Sequence, residues 1–318
     1  MKNKSIVILF ITLLSVSLAH ASQETPKPTW NEEHLKQFAE TGKARGCNLQ
    51  GVDLRLFIAQ LAIRNIKGSD IDLRDANLSY ANLQEADLLA AKMSNINLQD
   101  ANLFNTDLSF AKLQNARLSN TYLCCTNLSN ANLTNANLSN AYLALAKLKN
   151  TNLSDANLTN ANLFGANLEK ANLSDAYLSF ANLNYANLTC AMLKKANLSD
   201  AHLQNASLWR ANMSEANLSN AHLQNTSFLW CANMSKANLS NTNLGKADLF
   251  CTNLEKADLS DANLSSTNLN YAKLTCARLE KANLSSNAHL QNANHHLPNT
   301  QFTNVCRTAI KYLRRFIK

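Results

Sequence analysis

The chain has 318 residues, 46% of them hydrophobic, with only six glycines and a formal charge of +8. Seven basic residues at the two ends (Lys2, Lys4, Arg307, Lys311, Arg314, Arg315 and Lys318) leave a balance of +1 on residues 22–301. That body has neither a basic field to hold nucleic acid nor an acidic one to imitate it. With so few glycines there is no phosphate-cradling loop, and no nucleophile-elbow or zinc-protease motif occurs, so no catalytic residues and no cofactor are expected.

Lys2 and Lys4 precede an apolar run over 6–18, and Ala19-His20-Ala21 puts small residues where a signal peptidase reads them. The run is shorter than the ~20 residues a membrane span needs. Residues 1–21 therefore read as a signal peptide cleaved after Ala21, which places the mature protein in the periplasm or outside the cell. Residues 22–46 hold a Pro-containing linker and one short amphipathic helix. Asn31 is its N-cap, Glu32 and Glu33 fill its first turn, Gly42 can close it, and Leu35, Phe38 and Ala39 form its apolar side.

A five-residue pattern starts at Cys47-Asn48-Leu49, is interrupted over 55–70, and extends to 297. The interrupted stretch keeps Leu56, Phe57, Ile58, Leu61, Ile63 and Ile66, expected to be buried, and is readable as helix or as irregular coil. Apolar centres recur every fifth residue from Leu73 to Phe228; Cys231 reads as one inserted residue, and the phase resumes from Met234 to Leu284. A second slip falls at Asn287. Of these 43 centres all are Leu except Met93, Met213, Met234 and Phe228, and the residue two before is Ala in 33 and otherwise Thr or Ile, so the second inward position favours a small side chain.

A period of five fits neither a helix nor a strand. A chain that buries two of every five residues must turn a corner each time, and stacked coils of such corners can pair their backbones at the sheet spacing. Residues 201–220, AHLQNASLWRANMSEANLSN, recur at 221–241 with one residue added, so the duplicated unit is four pentapeptides. That is what copying one four-sided coil leaves behind.

The array resembles the pentapeptide repeat family, densely over 71–286 and loosely over 47–54 and 288–297. The resemblance implies an all-β fold, a right-handed quadrilateral β-helix, with short N-terminal and C-terminal capping helices. The segment leading into the array also resembles bacterial members that begin with a helix and a paired-Cys motif, with Ala44 standing at the first Cys position. Family resemblance further implies a scaffold or protein-binding rod, with gyrase engagement by DNA mimicry as an alternative that the near-neutral body disfavours.

On the side defined by Leu103, Leu123, Leu143 and Leu163, the outward positions hold Phe104, Tyr122, Cys124, Tyr142, Leu145 and Phe164. A second cluster, Trp209, Leu229, Trp230 and Phe250, surrounds the Cys231 slip on the neighbouring side. Such patches either pack locally along the rod or contact a protein partner. Cys231 and Cys251 fall at nearly the same corner of adjacent coils, where a disulfide and free thiols are both open. His202 and His222, 20 residues apart, should stack, and duplication of one surface histidine accounts for them without a metal. Residues 164–190 recur at 250–276, an offset of 86 that sets the copy one side round. Finally, 298–318 reads as a basic amphipathic helix. Val305, Ile310, Leu313, Phe316 and Ile317 approximate one apolar face, able to cover the rod's end, to meet a membrane surface through 302–318, or to dimerise.

Overall fold

The computed structural model of the protein describes residues 30–226, 229–284 and 288–293. Ala21 and the signal segment, Phe228, Asn287 and the 298–318 segment lie outside the described residues.

Helix α1 spans Glu32–Thr41. The Asn31 side chain accepts from the Glu33 and His34 amides at 2.9 and 3.2 Å, filling two of the donors a helix start leaves open. Gly42 ends the helix at φ +68°, donating to Phe38 O, and the buried residues are Leu35, Phe38 and Ala39. The first coil follows at once. Lys43, Asn48 and Asp53 bridge in parallel to Asp72, Asn77 and Asn82, so the ladder begins four residues ahead of Cys47. These partners lie 29 residues on, whereas Asp72 and Lys92 and the uninterrupted bridges that follow lie 20 apart. Helix α2 (Arg55–Ile63) and a 3-10 turn (Gly68–Asp70) take up the excess. The stretch that the sequence leaves open is thus helical where Phe57, Ile58 and Leu61 face inward; Leu56 and Ile63, expected to be buried, fall on the other face of this helix and are exposed. Gly68 passes so close to Leu89 that a Cβ would overlap its carbonyl oxygen.

A regular separation of 20 between bridged residues means four five-residue sides per coil. Each side contributes one bridged residue before the next corner, so the described residues form isolated bridges and no continuous strand. Residues 131–135 show the wiring. Asn132 N–H donates to Ala111 O on the preceding coil; Leu133 and Asn135 donate to Asn152 O and Ser154 O on the following one. Ala136 N–H closes the corner on Leu133 O. The remaining amide, Thr134 N–H, donates to the Asn132 side-chain oxygen at 3.1 Å. All five amides of the unit are therefore paired, and the last pairing requires Asn or Asp before the central Leu.

The same carboxamides link coil to coil. Asn97 Nδ2 reaches Asn77 Oδ1 at 2.9 Å, and Asn172 reaches Asn152 at 3.1 Å. A second ladder climbs the corners, as in Asn95 to Asp75 and Asn115 to Asn95. Thr replaces the inward Ala without an orphaned hydroxyl, because Thr106, Thr126 and Thr151 each donate to a Leu carbonyl of the coil before. The central residues Leu123, Leu143, Met93 and Met213 are fully buried in one continuous core. Every regular corner puts its last residue in the left-handed region. Asn accepts this readily, but so do Phe110 (φ +60°), Leu145 (+59°) and Phe180 (+59°), where an apolar side chain is held against its preference.

The slip differs from the sequence reading. Thr226 is buried in the ordinary small inward position, and Leu229, 0% exposed, is the next central residue. Ala232 N–H closes the corner on Leu229 O at 3.1 Å, and Cys231 occupies the left-handed corner at φ +55°. The extra residue therefore lies between Thr226 and Leu229, not at Cys231, and Leu229 belongs to the core rather than to the outward patch. Both Phe228 and Leu229 keep a five-residue spacing, one to Leu223 and the other to Met234. The burial of Leu229 decides between them.

Candidate functional site

Each side of the rod is named here by its first residue in the series Leu103, Leu108, Leu113 and Leu118. The Leu103 side carries the larger patch. Phe104, Tyr122, Tyr142, Leu145 and Phe164 are all exposed, Tyr122 at 52% and Leu145 at 58%. Tyr122 and Tyr142 stack in parallel on bridged positions, with ring centroids 4.9 Å apart and planes 6° from parallel. Their ring faces thus meet along the rod, and edges and hydroxyls point outward. Both stand where the fold calls for Asn, and a phenol ring cannot accept the amide two residues on. The local rule is broken where the aromatic surface is built, the pattern expected of a residue kept for contact rather than for folding.

The patch extends beyond the residues the sequence singles out. Tyr185 lies one coil on from Phe164, centroids 5.3 Å apart and tilted by 57°. Further along the same side, His202 and His222 stack at 5.0 Å and 5°. His222 Nδ1 and the side-chain oxygens of Gln204 and Gln224 are buried there without partners. Among the described residues no third His, Cys, Asp or Glu joins the pair to make a metal-binding group. From Asn102 to Asn225, over seven successive coils, the outward positions of this side hold no Asp, Glu, Lys or Arg. The same coils carry Lys112, Asp155, Asp175, Lys194, Lys195 and Glu215 on the opposite, Leu113 side. Glu85 and Lys246 bound the charge-free strip at its two ends.

The second cluster lies on the Leu108 side. Trp209 and Trp230 are exposed, and the Arg210 guanidinium sits over the Trp209 ring at 5.5 Å. Trp230 and Phe250 are 6.0 Å apart, and Phe250 meets Tyr271 edge-on at 5.2 Å. Phe250–Tyr271 is the Phe164–Tyr185 pair reproduced one side round, as the duplicated sequence requires. Tyr185 and Tyr271 were both legible in principle: each is the corner residue one coil above a Phe, which brings the two rings together.

Cys231 and Cys251 are unbonded thiols at the same corner of successive coils. A hydrogen bond between the two pushes the Cys231 pKa up, burial and the neighbouring thiol add to this, and Arg210 opposes it. No described helix is long and apolar enough to cross a membrane.

A corner-wired stack of four-sided coils defines a solenoid. The sequence profile of pentapeptide repeats matches it in overlapping stretches from 69–103 through 247–285, and the chain belongs to the pentapeptide repeat family, whose members form right-handed β-helices. HetL, a pentapeptide repeat protein involved in heterocyst differentiation regulation from the cyanobacterium Nostoc sp. strain PCC 7120, is 30% identical over 84% of this chain and 100% of its own, with a TM-score of 0.41. QnrB1, a plasmid-mediated fluoroquinolone resistance protein, is 18% identical over 63% of this chain and 94% of its own, with a TM-score of 0.38. A pentapeptide repeat protein of the Arabidopsis thaliana thylakoid lumen is 27% identical over 33% of this chain and 66% of its own, with a TM-score of 0.22. No curated protein matches the chain.

Proposed function

We propose that the protein is an exported, non-enzymatic scaffold that docks a protein partner on the Leu103 side, with α1 and the 298–318 segment covering the ends of the rod. The observation that carries this reading is the charge-free strip. Depletion of charge with enrichment in Tyr and Phe is the composition of an interface centre, not of an ordinary surface. Seven coils at the sheet spacing make the strip roughly 29 Å long, and it is one side wide. That shape suits a single helix or extended segment of a partner better than a broad globular face. Export rests on the signal-like segment that ends at Ala21. The gyrase reading lacks the acidic surface that DNA mimicry needs.

The test is capture from periplasm and culture medium by the mature rod and by a Tyr122→Ser, Tyr142→Ser, Phe164→Ser variant. A partner held by the first and lost by the second supports the reading. A partner set that is the same for both removes the Leu103 side from consideration. Inhibition of gyrase supercoiling by the mature protein would replace this function with the alternative.

A further inference from the structure

Among the seven described cysteines, Cys231 and Cys251 alone are exposed. They are also the pair the fold brings together. Each occupies the left-handed corner that follows the Leu108 side, at φ +55° and +59°, one coil apart. Cys231 N–H donates to Phe250 O and Cys251 N–H to Asn270 O, both at 3.0 Å, so the two corners are held in register by the coil-to-coil ladder. Stacking at about 4.8 Å puts the Cα atoms inside the roughly 4.4–6.8 Å range that disulfides span. The two thiols are near enough for Cys251 to raise the Cys231 pKa. Bond formation then needs side-chain movement of the two sulfurs and no change of backbone register.

Their place in the stack gives the bond something to do. The extra residue between Thr226 and Leu229 interrupts the Leu108 side immediately before Cys231. Asp248 N–H bonds Thr226 O, 22 residues back, where the regular separation, as in Asn253 to Ala232, is 21. The chain before the insertion is thus joined to the coil after it with one residue to accommodate. We infer that Cys231 and Cys251 form a coil-to-coil disulfide that fastens the stack just past its interrupted side.

The oxidant is a low-molecular-weight disulfide. The deprotonated Cys231 sulfur attacks one sulfur of that reagent, forming a mixed disulfide and releasing one thiolate. Cys251 loses its proton and attacks the Cys231 sulfur of the mixed disulfide, expelling the second thiolate. The two cysteines together lose two electrons, the reagent gains them, and the two released protons end on its two thiols. Arg210, at the same corner one coil before, partly offsets the rise in the Cys231 pKa.

The mature full-length protein, equilibrated with graded ratios of oxidised to reduced glutathione, alkylated and digested with trypsin, provides the test. Lys236 and Lys246 separate the two cysteines into different peptides, so a 231–251 bond appears as one cross-linked species. The expected result is that this species forms while Cys124 and Cys190 remain alkylated, and that oxidation raises Tm by roughly 4 °C or more. That rise should vanish in Cys231→Ser and in Cys251→Ser, whose reduced Tm should match the reduced parent. Full alkylation of both residues in excess oxidised glutathione would overturn the inference, as would pairing of Cys231 with Cys190, Cys276 or a second molecule.

Discussion

The Leu103 and Leu113 sides lie opposite each other on the same coils and share one core, yet their surfaces have nothing in common. Inside, Leu143 and Leu153 are equally buried, with Ala or Thr beside them. Outside, one side carries stacked tyrosines and no charge over seven coils, and the other carries both lysines and acids, with Asn152 and Asn172 linked coil to coil. Folding is blind to this difference, because a five-residue side needs only its inward pair, its corner and one side-chain acceptor. Surface identity is thus free to vary by side, and a feature kept on one side alone has a cause outside the fold.

The core should therefore respond alike on both sides. Leu143→Ala and Leu153→Ala should each cost about 2–5 kcal/mol in denaturant unfolding, and a large disparity would mean that the sides are not structurally equivalent. The Asn position should distinguish them. Asn152, on the Leu113 side, accepts from Ser154 N–H and Asn172 Nδ2 and donates to Thr134 Oγ1, so Asn152→Ala should cost about 1–2 kcal/mol. Tyr142→Asn supplies the acceptor that the ring lacks while giving up its stacking, and stability should change by less than about 1 kcal/mol. Tyrosine at that position is then not there for the fold.

The pattern of five specified the coil, its four sides and the direction each side chain faces, because a Leu or Met centre with Ala, Thr or Ile two residues before it recurs every five residues between Leu73 and Leu223; the cap and first-turn residues around Asn31 specified the N-terminal helix. The pattern could not place the slip, since Phe228 and Leu229 satisfy spacing equally, one to Leu223 and the other to Met234. Nor did it separate helix from coil over 55–70, where no period operates. The aromatic residues were visible, but the charge-free strip emerges only when all outward positions are sorted by side. Tyr185 and Tyr271 join their clusters through contacts between coils, which the 21-residue separation from Phe164 and Phe250 shows only once a coil of 20 is assumed.

The second coil, bridged to the first, provides an acid-sensitive comparison with the middle of the rod. The Asp72 carboxyl is held below its usual range by hydrogen bonding to Arg74, and Asp75 by Asn95 and Arg45. Depressed carboxylate values add stability above the unfolded pKa of about 4, and that contribution is lost as pH falls through the lower folded values. Hydrogen exchange should show protection at Leu73 and Leu78 declining below about pH 4 while Leu143 and Leu163 hold theirs, and Asp72→Asn should flatten the difference. The smallest effect concerns the corners. Leu145→Asn relieves an apolar residue from φ +59° and should add about 0.5–1 kcal/mol; a loss instead would show that Leu145 packing outweighs its backbone preference.

Affinity of the captured partner for the immobilised mature rod is the most direct measurement, comparing Tyr122→Asn/Tyr142→Asn with Lys112→Asn from the opposite side. Both variants keep the residue type the coil prefers, so each remains folded. Binding should weaken at least tenfold, about 1.4 kcal/mol, in the tyrosine variant and by less than about twofold in the lysine variant, as expected when buried aromatic anchors dominate an interface. Equal affinities for the parent and the tyrosine variant, or a larger loss with Lys112→Asn, would contradict the account.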